Sequence, residues 1–356
     1  MKITDIKLEP CIMRKEDPTW RFALGASPIT EGLIVSIETD EEITGYGYAS
    51  ATAHMGASME GLTGTLERLI PHVKEHDALS MASIRVTMDR ALSGNNQAKA
   101  AIDNALFDLA AKSMNVPLHR LFGGAVRTEF PVLRILAIKQ PDEMAEQAQI
   151  LFDQGYRYFK IKVHGEVDLD IARVTAIRKR LGDEANLTVD ANQAYSPKDA
   201  IAALNGMAEY RIDLVEQPVA IDDYKGMKLV TDSVPVTVEA DESAGSIQEV
   251  AYLVEHRIVD AISLKVAKLG GLWNTLIAAQ ICKTGNIKYR FGAHVGSRLL
   301  NAHAMQLAAA LPEVWYASEF GEFARLLDDP FEGIDVEGGI IHLPDAIGAG
   351  VQPIAS

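Results

Sequence analysis

Residues 159–190 read FKIKVHGEVDLDIARVTAIRKRLGDEANLTVD. A short apolar run ends in Lys162, a helical stretch DLDIARVTAIRKRL follows, and a second apolar run, LTVD, ends in Asp190. Strand, helix, strand is the unit of a parallel sheet, and here each strand carries a charge at its C-terminal tip. The unit repeats: DLVE ends in Glu216, PVTVEAD in Asp241 and AISLK in Lys265, so five charged tips follow at intervals of 24 to 28 residues. Strands are expected near 131–136, 157–163, 186–190, 212–216, 236–241, 260–265, 288–293 and 314–318, with helices such as NTLIAAQICKTG between them. The pattern predicts an α/β fold, a (β/α)8 TIM-type barrel or its modified (β/α)7β-like variant.

The N-terminal part has a different pattern. LIVSIETDEEITGYGYAS (33–50) alternates around a polar turn at 40–42, the signature of an antiparallel hairpin. AKAAIDNALFDLAAKSM (98–114) places Ile102, Leu106, Leu109 and Ala110 on one helical face, with Asp103 and Asp108 off it. The expected organisation is an α+β capping domain over 1–118 and a barrel over 119–320. A C-terminal segment, 321–356, containing IDVEGGIIHLP, would return to the cap.

A chain of 356 residues is too long for one compact core. The net charge of −15 argues against nucleic acid or an anionic membrane as partner, since both require basic patches. Two cysteines, Cys11 and Cys282, give neither a disulfide framework nor a zinc cluster. The start, MKITDIKLEP, has no apolar signal core and no apolar run reaches spanning length, so cytoplasm is the expected location.

Period-two geometry places Lys160 and Lys162 on one strand face, toward the barrel mouth, with Phe159, Ile161 and Val163 toward the helices. The same phase turns Thr237, Glu239 and Asp241 inward on one strand, and Ser263 and Lys265 on another. Ion pairs plugging a barrel mouth are the bland explanation. Buried pairs are poor sources of stability, however, because each ion's desolvation costs several kcal/mol. Five in register, ordered amine, acid, acid, acid, amine, point to chemistry instead. Three oxygen donors without histidine or cysteine suit a hard cation, Mg2+ first and Mn2+ as the alternative.

With these residues in place the chain resembles the enolase superfamily, in its muconate lactonizing enzyme subgroup within the mandelate racemase/muconate lactonizing enzyme family. The family's lysine–x–lysine element matches Lys160-Ile161-Lys162. Its three metal ligands match Asp190 in VDAN, Glu216 in VEQP and Asp241 in ADES, and its second base matches Lys265 in LKVAKLGG. The resemblance covers nearly the whole chain. It implies Mg2+-dependent abstraction of a proton alpha to a carboxylate through an enediolate. Lys162 and Lys265 would be the two bases, while Lys160 tunes the first and touches the substrate carboxylate. Two opposed lysines permit a racemase or epimerase acting on an amino acid derivative or related carboxylate. Dehydratases and cycloisomerases use the same scaffold and are the alternative; a metal-binding protein without turnover is the remaining one. A small-molecule carboxylate substrate and a homo-oligomer are implied as well.

Further candidates are Asn192 and Glu239 as supports of the metal and the bases, with Lys268 structural. His294 and Glu319 end the seventh and eighth strands, where the mandelate racemase subgroup resembles this chain in placing a histidine and a glutamate. That subgroup pairs its histidine with an aspartate where this chain has Lys265. His294 is therefore expected to be a substrate hydrogen-bonding group or a satisfied polar residue. Glu319 or Glu322 could instead hold a cationic substrate group, such as an amino acid ammonium. The Asp-x-Asp pair of dipeptide epimerases is replaced by Ser318-Glu319-Phe320, which speaks against dipeptides. Arg134, taken to end the first strand, could meet a second substrate anion or form a structural pair. Trp315 shares the inward phase of Glu319 and is expected to fill the barrel or face a cation. Trp20, Phe22, His54 and Met55 fall in the family's two specificity loops.

Overall fold

The computed structural model describes residues 1–354. Three antiparallel strands open the chain: β1 (Ile3–Arg14), β2 (Ile29–Thr39) and β3 (Thr44–Ser50), ordered β1-β2-β3. The hairpin expected at 33–50 is β2–β3, with Glu38 opposite Thr44 across the turn. Pro10, which cannot donate to a ladder, is tolerated because β1 is an edge strand. Helices α1 (Met59–Val73), α2 (Met81–Ala91) and α3 (Asn96–Ser113) follow.

Helix α3 is not the one-faced helix its apolar spacing suggested. It packs on β3 on one side and on elements of the barrel on others, so nearly its whole length is buried, Asp103 and Asp108 included. Both acids are satisfied. Arg85 donates to Asp103 at 2.9 Å, and the backbone N–H groups of Tyr46 and Ala349 donate to Asp108 at 3.0 and 2.8 Å.

The barrel strands are β4 (Leu133–Leu136), β5 (Tyr158–Lys162), β6 (Asn186–Asp190), β7 (Ile212–Glu216), β8 (Thr237–Ala240), β9 (Ala261–Leu264) and β10 (Lys288–Phe291). They form one parallel seven-stranded sheet in chain order, with helices between successive strands. The eighth strand expected at 314–318 is not continuous. Its backbone makes single bridges, Tyr289–Val314 and Val132–Ser318, one to each edge of the sheet. The segment thus spans from β10 back to the approach to β4 without two successive pairs on either side, and the barrel is of the (β/α)7β type.

The C-terminal residues pair back on the body: Ile340–His342 runs antiparallel to Glu129–Pro131, and Arg14 grips Asp328 at 2.8 and 3.0 Å. Among the described residues both cysteines are free and buried, and no helix is long and apolar enough to cross a membrane.

Candidate active site

The pleat does what the alternation demanded. Phe159, Ile161 and Val163 enter the apolar layer under the helices, and Lys160 and Lys162 turn the other way. The register Lys162–Asp190, Asp190–Glu216 and Glu216–Glu239 lays the strand tips side by side, with Asp241 two residues beyond the last pair. All five charged tips are buried.

Lys160 sits at the centre. Its ammonium lies 2.8 Å from Asp190, 2.7 Å from Glu216 and 2.8 Å from Glu319. Burial works against that charge, but the three carboxylates outweigh it and hold the amine well above its usual value. Lys160 is thus an electrostatic hub, its charge shared among three acids. Lys162, at one flank, donates to Asp190 at 2.6 Å and to Asn192 at 2.5 Å. Lys265, at the other flank four strands away, donates to Asp241 at 2.5 Å. Burial draws the Lys265 amine down, yet Asp241 and Glu216 outweigh it and hold the amine up.

Lys268 takes the structural place expected of it. It donates to the Asp241 carboxylate at 2.8 Å, to the Asp241 carbonyl at 2.6 Å and to the Ser263 carbonyl at 2.9 Å. Asn192, at φ +40°, accepts from Lys162 and donates to Glu242 at 3.1 Å, an acid the sequence reading did not single out. Beneath the strand tips lies another residue it passed over, Arg290. This guanidinium is fully buried and touches Glu216, Glu239 (2.7 Å) and Glu319 (2.7 Å). The signal was present, since Lys288, Arg290, Gly292 and His294 share one phase of their strand. Gly292 matters for space: a Cβ there would come within 2.7 Å of the Lys265 side chain.

Glu319 is already committed, to Lys160, Arg290 and the Ala293 N–H at 2.9 Å. Burial would raise its carboxyl, but Lys160 and Arg290 prevail and keep it low. Its charge is thus already paired within the protein. His294 is buried with neither ring nitrogen bonded to protein, and burial together with Lys265 keeps the ring neutral. Arg134 and Trp315 are not brought in. Arg134 is the second residue of β4, opposite the outward Phe159, so the inward neighbour is Ile135. Arg134 lies 3.8 Å from Glu322. Trp315 is half-buried beneath Lys288, at the opposite end of the strands.

Above the strand tips lies a cavity of about 380 Å³ whose lining includes Lys160, Lys162, Asn192, Lys265 and His294. Trp20, Phe22 and His54 form its aromatic wall, with ring centroids 5.8 Å apart for the first pair and 5.1 Å for the second. Met55 lines a neighbouring cavity instead.

The acids suit a hard cation. Among the described residues no three are gathered round a common point as they stand, because lysines draw them aside. Two observations nevertheless fit a metal among Asp190, Glu216 and Asp241. Glu216 Oε1 is buried without a hydrogen-bond donor, and burial together with Asp190 pushes the Glu216 carboxyl well up, the mark of acids crowded for want of positive charge. The donor set is all oxygen.

Comparison with known proteins agrees with the geometry. The model of the mandelate racemase/muconate lactonizing enzyme N-terminal domain matches residues 11–123, and that of the enolase C-terminal domain-like family matches 143–355. A solved dipeptide epimerase from Enterococcus faecalis V583, complexed with Mg and the dipeptide L-Leu-L-Tyr, superposes with a TM-score of 0.95 at 33% identity, covering 99% of this chain and 100% of that one. The N-succinyl-L-Arg/Lys racemase of Bacillus cereus is 32% identical over 86% of this chain and 84% of its own length. A chloromuconate cycloisomerase from Pseudomonas sp. P51 is 33% identical over 80% and 78%. Epimerase, racemase and cycloisomerase are all isomerases, and the chain belongs to the mandelate racemase/muconate lactonizing enzyme family of the enolase superfamily.

Proposed function

We propose that the protein is a Mg2+-dependent racemase or epimerase that moves the proton alpha to the carboxylate of an N-acylated amino acid. The observation that carries this reading is the placement of Lys162 and Lys265 at opposite flanks of one cavity, with the acid-lined strand tips between them. One amine removes the alpha proton and the other delivers a proton to the opposite face, which inverts the carbon. Mg2+ held by Asp190, Glu216 and Asp241 would supply positive charge to the substrate carboxylate as the enediolate develops. Mg, and not Mn, is the metal named in the solved relative, so Mg2+ is the cofactor proposed. Lys268 fixes the Asp241 carboxylate, Asn192 orients the Lys162 amine, and the neutral His294 ring is free to bond a substrate oxygen. Arg290 and Glu319 anchor Glu216 and Lys160 from below.

An acylated rather than free amine follows from Glu319, whose charge is already spoken for. Dipeptides are the second reading, favoured by the whole-length similarity to a dipeptide epimerase and by Glu31, the other acid of the cavity lining. Incubation in D2O with Mg2+ and N-acetyl or N-succinyl amino acids tests the proposal. The expected result is deuterium at the alpha carbon together with loss of optical rotation. No exchange with these substrates, together with water loss from a hydroxy acid or lactone formation from a dienoate, would assign the protein to the dehydratases or cycloisomerases instead.

A further inference from the structure

The same cavity holds a cation that the proton-transfer reading does not use. Lys15 follows directly on β1, is only 5% exposed and lines the cavity together with Lys162, Lys265 and His294. Among the described residues no carboxylate lies within 4.0 Å of its ammonium. Both of its hydrogen bonds go to one residue, Ser27, at 2.6 Å to the carbonyl and 2.6 Å to the hydroxyl. An ammonium has three donors, so one N–H remains. The Trp20 ring backs the charge at 4.1 Å, and the charged neighbours that act on it, Arg325 and Lys162, are both cations. Arg325 is paired with Glu322, and Lys162 with Asp190. Of these three cations Lys15 alone has no counter-ion among the described residues. Burial, aided by those two cations, draws its amine down to about 7. A buried lysine without a partner is costly unless something arrives to pair it.

We propose that Lys15 anchors a second carboxylate of the substrate, distant from the reacting carbon. The proposal rests on the racemase reading above and narrows its substrate class to diacids. The second carboxylate can sit at the end of the acyl arm or on the side chain; the chemistry that meets Lys15 is the same. Trp20 and Phe22 then bracket the intervening methylene groups. Such an anchor selects substrates without entering the proton transfer, so its effect belongs in KM.

Two matched pairs of probes test this: N-succinyl-L-alanine against its terminal amide, and N-acetyl-L-glutamate against N-acetyl-L-glutamine, all with the Mg2+-loaded protein and alpha-deuterium exchange as readout. The wild-type protein should prefer the acid of at least one pair by tenfold or more in kcat/KM, and the pair that shows it locates the second carboxylate. Lys15→Met should cut that preference at least tenfold, chiefly through KM, while Lys15→Arg keeps part of it. Exchange with equal rates for acid and amide in both pairs would overturn the anchor and leave the racemase reading standing. Equal losses on acid and amide in Lys15→Met would also overturn it, reducing Lys15 to a pin for the Trp20 loop. No exchange with any of the four would overturn the racemase reading, and the anchor with it.

Discussion

Replacing Lys15 by methionine should make the protein more stable at neutral pH, an unusual outcome for a buried substitution. The amine titrates at about 7 instead of 10.5, with burial as the leading cause and Arg325 and Lys162 adding to it. At about 1.36 kcal/mol per tenfold change, the fold carries roughly 5 kcal/mol of unfavourable charge at and below pH 7. Methionine removes that burden and keeps an apolar stem of similar length. Lost in exchange are two hydrogen bonds to Ser27, about 1 kcal/mol each, and the contact with Trp20, about 1 kcal/mol. The net expectation is a gain of roughly 2 kcal/mol. Its pH dependence follows from linkage. Between pH 7 and 10.5 the unfolded chain binds the proton and the folded one does not, so wild-type stability rises with pH across that window. The variant's advantage should accordingly shrink and vanish by about pH 9.5. Urea unfolding of both proteins at about pH 6.5 and 9.5 measures it. A variant less stable at both, or an advantage that does not narrow with pH, would show that Lys15 is already compensated in the fold.

Three other substitutions probe the strand tips. Arg290→Met should destabilise the protein by about 3–5 kcal/mol, because Glu216, Glu239 and Glu319 would lose a shared, fully buried counter-ion; chemical denaturation reads it. Lys268→Met frees the Asp241 carboxylate from its fixed orientation and should weaken Mg2+ binding roughly 10- to 100-fold by calorimetry. Gly292→Ala drives a methyl into the Lys265 side chain, with an expected cost of about 1–3 kcal/mol in stability and a larger loss in kcat than in KM.

The strand tips were legible because a parallel barrel repeats one geometry: apolar alternation, a charge at the C-terminal end, a helix, and again. Lys162, Asp190, Glu216, Asp241 and Lys265 fall where that repetition puts them. The departures have separate physical reasons. Arg134 was misplaced because it lies opposite the outward Phe159, which makes its neighbour Ile135 the residue that faces the cavity. Arg290 went unnoticed although it shares the phase of His294, because an arginine in a strand suggests a solvated edge until the three inward acids of other strands are set beside it. Helix α3 shows the converse. Its acids mark an exposed face only if one side meets water, and here packing on several sides covers them all. The 314–318 segment has strand composition, yet it closes the barrel with a single bridge to each side, at Val314 and at Ser318, so no continuous ladder forms. Lys15 carried no signal in the sequence, since nothing in MRKED distinguishes an exposed lysine from one folded under Trp20. Assembly into a homo-oligomer, implied by the family resemblance, predicts a light-scattering mass that is a multiple of the chain's.

Two amines addressing opposite faces of one carbon should each act on one enantiomer, which stereospecific exchange resolves. Lys162→Ala and Lys265→Ala, each Mg2+-loaded, are incubated in D2O with the separate enantiomers of an exchanging N-acyl amino acid, and the alpha proton is followed by NMR. Racemisation should be lost in both variants, while each still exchanges the alpha proton of one enantiomer, a different enantiomer for each. Both variants exchanging the same enantiomer, or either one still racemising at the wild-type rate, would contradict the account.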